Sequence, residues 1–383
     1  MSECVGEQIN SRGLIIPTAL PKVAIIILNW NDWEATIECL ESLQHQTYPN
    51  YQIILVDNGS KDGSLEKIKQ WCKGEVKVDT QFVRFSEEFK PVEYVEYQKV
   101  TAERGGKPDQ DLRLGNYSSP RKMVIIETGD NVGFTGGNNI GVKYALKSHY
   151  DYFWLLNSDI VVDKEALAEL VKFAEMNREV GIASPLFFDY ENPENIQFLG
   201  SNKMIWPFPW NNHRNFLGQK YIQFRWLGGA SLLIKRGVVE QIGLLDENYF
   251  LYGEETDLCL RATRKGWKLY CVLDSKVWHK NETRIKGKRI EKYFLGKRIL
   301  RLPWKIFPMR AYYESRNGLY FVRKNYPHFF LPYFVARTLH LILQVLLHDD
   351  RKIPRVMLIL RGTWHALIGK MGKQIDPSNE SLG

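Results

Sequence analysis

The chain is poor in cysteine, and what it has is not arranged for chemistry. Five occur in 383 residues: Cys4, Cys39, Cys72, Cys259 and Cys271. The number is odd and no pair is spaced C-x-x-C, which argues against a disulfide framework or a zinc pattern and predicts reduced, buried thiols of a cytosolic protein. The N-terminal MSECVGEQINSRG lacks a basic region followed by an apolar run, so no secretory leader is expected. Also missing are an internal repeat, a nucleic-acid recognition motif, and a G-x-G-x-x-G run after the first strand. Nucleic acid is therefore not an expected partner.

Apolar residues make up 44% of the chain and charged residues 25%, enough for a sizeable core in one large or two ordinary domains. The net charge of +8 is unevenly placed. From Lys280 to Gly383 there are 21 Lys and Arg against 7 Asp and Glu, so the body before it is mildly acidic. Such a tail suits an anionic partner, a lipid headgroup surface or a lipid-linked phosphate, unless it is only a solvated basic face.

Residues 1–21 read as an N-terminal extension. Lys22-VAIIILNW is a continuous apolar run of strand length, as expected for a strand covered on both faces. Asn31 or Asp32 can cap a helix over 33–46. Tyr51-QIILV is a second buried strand, and Ser64 opens a helix to Trp71. This order predicts an α/β fold with a mostly parallel sheet and crossover helices. Residues 85–120 are polar and read as an inserted loop. Met123-VIIE and Tyr152-FWLL resume the sheet, and Val180-GIASP is a short strand. Residues 192–219 read as a loop over the site and Phe224-RWLGGASLLI as one strand with a glycine interruption. A helix over 254–265 ends at Gly266, and Trp267-KLYCVL is the last strand of a domain spanning 22–280.

Residues 281–383 are expected to be helical, basic and aromatic. Phe329 to Leu347 is the most apolar part, but it contains Pro332, Arg337, His340 and Gln344. A spanning helix needs about 20 mostly apolar residues, and a charge at mid-membrane costs about 2.5–3.5 kcal/mol. A helix lying in the membrane interface is the favoured reading, with a buried helical hairpin as the bland one.

Ligands of open parallel sheets bind at the carboxyl ends of the strands. Asn29, Asp57, Asp130 and Asp159 all fall there. Asp57 can accept from an imide N–H, which uracil and thymine share, or can simply close an Asx turn. Gly129-DNVGFTGGNNIG lets backbone approach an anion at a helix N-terminus. In Asn157-Ser158-Asp159 a carboxylate can hold a divalent cation that also grips a diphosphate, or can serve the turn. His279 becomes a natural ligand if a metal is near. Glu254, Glu255 and Asp257 crowd a helix start, where the dipole favours carboxylates. Asp257 and Arg261 can pair at i,i+4, which leaves Glu254 and Glu255 able to face a cleft.

Ile27-LNWND, Leu55-VDNGSKDGS, Asp130-NVGFTGGNNIG, Trp154-LLNSD, Trp226-LGGA, Tyr252-GEETDLCLR and Val277-WHK occur in this order. The set resembles the inverting family 2 glycosyltransferases with the GT-A fold, particularly their rhamnosyltransferase-like branch. Tyr312-YESRN before a basic helical tail resembles the same branch. The resemblance implies that Asn29 and Asp57 hold the base and ribose of a UDP- or dTDP-linked sugar, and that Asp130, Asn131 and Asn157 line the nucleotide side. It implies that Asp159, with His279, holds Mg2+ or Mn2+. Asn157 stands where the metal motif usually begins with Asp. Glu255 matches the catalytic base, with Glu254 adjacent, and Trp226, Gly228, Gly229 and Asp257 fall on the acceptor and sugar side. The implied activity is inverting transfer to a glycan or lipid-linked acceptor in polysaccharide biosynthesis, on the cytoplasmic face of an anionic membrane. A sugar-nucleotide nucleotidyltransferase would want a basic glycine-rich loop where Asn29-WNDWE is acidic. A non-catalytic sugar-nucleotide or glycan-binding protein is the other alternative.

Overall fold

The computed structural model describes residues 20–107, 109, 122–198, 200–202, 218–280, 308–348 and 351–375, with short strand pieces at 8–9, 15–16, 204–205, 208–209, 291–294 and 297–301. Strand β1 (Val23–Asn29) is buried on both faces. Helix α1 (Trp33–Gln44) starts where Asp32 accepts from the Ala35 N–H at 3.3 Å, the cap that the sequence predicts. β2 (Tyr51–Asp57) follows, and α2 (Ser64–Lys73) ends at Gly74, whose φ of +84° suits glycine.

The expected insertion is only partly a loop. Its first half holds β3 (Glu93–Gln98) and α3 (Lys99–Glu103), and β3 pairs in parallel with β4 (Lys122–Glu127) at the sheet edge. The polar residues misled because an edge strand alternates: Val95 and Tyr97 face in while Glu93, Glu96 and Gln98 face water. Residues 110–120 lie outside the described residues.

The chain continues through α4 (Gly133–Leu146), β5 (Tyr152–Asn157), β6 (Ile160–Val162), α5 (Ala166–Met176), β7 (Val180–Asp189) and β8 (Ile196–Phe198). Next come β9 (Tyr221–Phe224), β10 (Ser231–Lys235), α6 (Arg236–Ile242), α7 (Glu254–Arg264) and β11 (Lys268–His279). The main sheet runs β9-β11-β7-β10-β5-β1-β2-β4-β3, with β8 on β7 and β6 on β11. The β5-β1-β2-β4-β3 half is parallel, and β10 lies antiparallel between β5 and β7.

Two further expectations change here. Residues 224–235 form two strands in different parts of the sheet, because the Trp226–Ala230 stretch carries the chain from the edge to its middle. The last strand does not stop near Leu273. It runs on to His279, paired with β6 and β7, so His279 sits on the sheet.

Beyond the body, β12 (Glu291–Phe294) and β13 (Lys297–Arg301) form a ribbon ahead of the expected helices. These helices are α8 (Pro308–Asn325), α9 (Phe330–His348) and α10 (Lys352–Leu367). Helix α8 docks on the body: Lys324 reaches Asp246 at 2.9 Å and Asp257 at 2.8 Å, and Arg264 donates to Asn325. On α9, Leu331, Val335, Leu339, Leu343 and Leu347 are exposed at every fourth residue. Its one charged side chain, Arg337, is buried against Glu314 of α8 at 3.5 Å. Ile353, Met357, Leu360 and Trp364 continue the outward apolar face on α10.

Candidate active site

The site is a rim around the carboxyl end of the central strands, and the hydrogen bonds and contacts that join it can be followed around. Register puts Asn29 beside Asp57, and Leu28 beside Asn157. Asn29 is fully buried. Its amide donates to Asp57 Oδ1 at 2.8 Å and Ser60 Oγ at 3.0 Å, and its oxygen accepts from Thr36 Oγ1 at 2.8 Å. In this structure Asn29 orients Asp57. Asp57 Oδ2 accepts from the Ser60 N–H at 3.1 Å, so the Asx turn exists, and the carboxylate keeps acceptor capacity beyond these bonds at the rim. Ser60 ties this corner together.

Asn58 carries the rim across to the next loop. Its Nδ2 donates to Asn131 Oδ1 at 3.2 Å, and its oxygen accepts from the Val132 N–H. Asn131 Oδ1 also accepts from the Gly133 N–H at 2.8 Å, so this oxygen ties the two loops together. Asp130 points outward to water, with Lys373 from the C-terminal segment at 3.4 Å. Gly59, at φ +72°, lies so close to the Asp130 backbone that a Cβ would sit 2.6 Å from it. The loop continues to Phe250, whose carbonyl accepts from the Thr135 N–H.

Phe250 and Tyr252 have φ of +63° and +68°, an uncommon region for such residues, and Gly253 follows at +95°. This turn delivers Glu254 and Glu255 to the first turn of α7. Glu255 Oε2 accepts from the Gly253 N–H at 3.1 Å, and Oε1 from Thr256 Oγ1 at 3.3 Å. Glu254 is more deeply buried, and its Oε2 has no hydrogen-bond partner among the described residues. Burial, then the Glu255 charge beside it, pushes the Glu254 pKa well above the usual carboxylate range. Burial also raises Glu255, but its backbone N–H donors pull it back. Of the two, Glu255 is the one whose carboxylate receives hydrogen-bond donors that favour its ionised form, while Glu254 Oε2 has none among the described residues.

Gly229 closes the rim, since a Cβ there would lie 3.0 Å from Glu255 Cβ. The next carbonyl, Ala230, accepts from the Asn157 N–H at 2.9 Å, which returns the path to β5. Gly228 is half-buried in the same turn, and the Trp226 ring packs toward Phe321 of α8 at 6.3 Å. Asp257 takes the structural one of its two expected roles. It is fully buried, 2.6 Å from Arg261 Nε and 2.8 Å from Lys324 Nζ, behind the rim rather than on it.

Asp159 and His279 meet at 3.2 Å between Oδ2 and Nε2. Gln197 donates its amide to the His279 carbonyl and offers Oε1 to Nδ1 at 2.7 Å. That arrangement places the ring proton on Nδ1 and turns the Nε2 lone pair toward a carboxylate oxygen. Two acceptors facing each other need positive charge between them, which a proton on the ring or a divalent cation would supply. The residues present therefore fit a metal. No group of three His, Cys, Asp or Glu ligands occurs among the described residues, so the remaining ligands would come from a bound diphosphate or water. Gln197 lies in a stretch whose composition pointed only to a loop. Cys39, Cys72, Cys259 and Cys271 are buried free thiols, as expected, with pKa values pushed up by burial.

The sequence matches the description of glycosyl transferase family 2 over residues 24–87 and of glycosyltransferase-like family 2 over residues 116–293. A low-salt glycan biosynthesis hexosyltransferase of Haloferax volcanii is 31% identical over 161 residues, covering 40% of this chain and 50% of that protein. A dTDP-rhamnosyl transferase of Shigella flexneri is 24% identical, covering 54% and 64%. An N-acetylglucosaminyl-diphospho-decaprenol L-rhamnosyltransferase of Mycobacterium tuberculosis is 27% identical, covering 63% and 70%. The alignments span about half to two thirds of the length of these relatives. With matches over most of residues 24–293 and a mostly parallel α/β sheet of the GT-A type beneath them, the chain belongs to the family 2 glycosyltransferases, on their rhamnosyltransferase-like branch.

Proposed function

We propose that this chain transfers a sugar from a UDP- or dTDP-linked donor to a hydroxyl of a glycan or lipid-linked acceptor, by a single displacement that inverts the anomeric centre. The observation that carries the reading is the rim: Asp57, Asp159, His279 and Glu255 lie at one end of one sheet, and Asp57 and Glu255 are joined along it by hydrogen bonds and close glycine contacts. Asp57 takes the imide N–H of the base, and Asn29 and Ser60 hold it for that contact. Asp159 and His279 would hold Mg2+ or Mn2+, with Gln197 fixing the imidazole. When bound, the cation offsets the charge that grows on the leaving diphosphate. Glu255 accepts the proton of the acceptor hydroxyl while that oxygen attacks the anomeric carbon from the face opposite the diphosphate. Glu254 stays neutral beside it, so the base keeps its negative charge without a like charge adjacent.

The acceptor side is proposed to meet a membrane. The outward faces of α9 and α10 are apolar, and residues 327–375 carry seven Lys and Arg against two Asp. This combination suits helices lying in an anionic interface on the cytoplasmic face.

A thermal-shift panel of UDP, dTDP, GDP and their sugars, with and without Mn2+ or Mg2+, tests the donor. UDP or dTDP should raise the melting temperature, more so with the cation. Glu255→Gln should keep that shift and lose about 10²–10⁴-fold in release of nucleoside diphosphate from the sugar nucleotide. No shift with any nucleotide would end the proposal.

A further inference from the structure

The turn that presents Glu255 is strained, and something must hold it. Strained backbone persists only where its surroundings over-determine it. Across Asn248–Gly253 the holding groups come from α8, some 60 residues further along the chain. Asn317 Nδ2 donates to the carbonyls of Tyr249 at 3.0 Å, Leu251 at 2.7 Å and Tyr252 at 2.7 Å. Arg316 Nε donates to Asn317 Oδ1 at 2.9 Å, which settles which end of that amide faces the turn. Arg316 Nη2 adds the carbonyls of Asn248 and Tyr249, and Nη1 reaches Gly372. Both side chains are buried, and the guanidinium lies over the rings of Tyr312 and Tyr313.

These are unusual uses for a buried arginine and asparagine. Three carbonyls of one turn, those of Tyr249, Leu251 and Tyr252, are gathered onto one amide, and the next N–H in the chain, that of Gly253, is the donor to Glu255 Oε2. We infer that Arg316 and Asn317 are positioning residues for transfer: they hold the Tyr249–Gly253 turn so that the Gly253 N–H fixes the Glu255 carboxylate toward the acceptor. Neither residue touches substrate. The inference rests on the reading of Glu255 as the base, and it makes the C-terminal helices part of the catalytic apparatus rather than an appended anchor.

The full chain carrying Asn317→Ala, Asn317→Asp or Arg316→Lys tests this beside Glu255→Gln. Asp has the shape of Asn but cannot donate to the carbonyls. Hydrogen exchange of amides 250–253 should be at least tenfold faster in both Asn317 variants, and intermediate in Arg316→Lys, which keeps the charge but has one donor nitrogen in place of three. With the sugar nucleotide that supports turnover, kcat should fall at least tenfold while KM for the donor and the affinity for UDP or dTDP stay within twofold. Unchanged exchange overturns the inference. So does a parallel loss of kcat and nucleotide affinity, or failure of both Asn317 variants to fold, since each describes a purely structural role. Full kcat in Asn317→Ala while Glu255→Gln is dead removes the clamp alone. Full kcat in both removes the base assignment under it.

Discussion

Helices α2 and α9 share a period and invert its meaning. On α2, Ile68, Trp71 and Cys72 face the core, and Glu66, Lys67 and Lys73 face water. On α9 the arginine faces in and the leucines face out. A helix packed on a globular body usually hides its apolar stripe, and the exposed stripe with a buried charge is what the proposed membrane docking of that face rests on. Amphipathic spacing reports that a helix has two sides; only packing shows which side meets the protein.

The comparison breaks most visibly by placing one charge on each side. Leu40 lies on α1, which like α2 turns its apolar side to the core; it is fully buried, and Leu40→Glu should cost more than about 4 kcal/mol in a urea melt, because an unpaired carboxylate enters the core. Leu343 is exposed, and Leu343→Glu should change the same melt by less than about 0.5 kcal/mol. Combined with Leu339→Glu, it should abolish flotation with anionic vesicles. Equal destabilisation by Leu40→Glu and Leu343→Glu would refute the inversion.

Smaller effects sharpen it. In the body, Gly137→Ala drives a Cβ to 2.3 Å from Leu28 Cδ1 and should cost about 1–3 kcal/mol of stability, read by thermal melting. On the tail, Arg361→Ala should weaken binding to phosphatidylserine vesicles by about 1 kcal/mol at low salt and less at high salt, with no change in melting. At the site, Glu254→Gln should leave turnover within a few-fold. Its signature is in pH. A carboxyl whose folded-state pKa is raised adds stability below its ordinary unfolded range and loses it as pH climbs through the folded value. The melting temperature of the parent should therefore decline as pH rises above the ordinary carboxylate range, and Glu254→Gln should flatten that decline.

Much of the parallel half was legible because its signals are local. Val23–Asn29 and Tyr51–Asp57 are apolar runs of strand length, and Asp32 and Gly266 end or begin helices by their own chemistry. What could not be read depends on distant partners. β3 looks like loop because half its residues face water. Residues 224–235 look like one strand because nothing local tells of the jump from sheet edge to sheet centre. The site divides in the same way. Asp57, Asp159 and Glu255 stand at strand or helix ends that the pattern marks, whereas His279 ends a strand that runs on past the apolar run. That Asn29 and Asn131 serve other residues, and that Gln197 turns His279, follows from contacts between segments 28 to 82 residues apart.

The Asp257 knot has a practical corollary for anyone cutting this protein down. Its carboxylate sits in the body, between Arg261 of its own helix and Lys324 of a helix that starts after the family match ends at residue 293. A fragment designed on that match would strand a fully buried acid with one counter-charge and strip the back of the turn behind Glu255. Solubility gained by discarding the greasy C-terminal helices would come with a loosened turn behind Glu255, the proposed base.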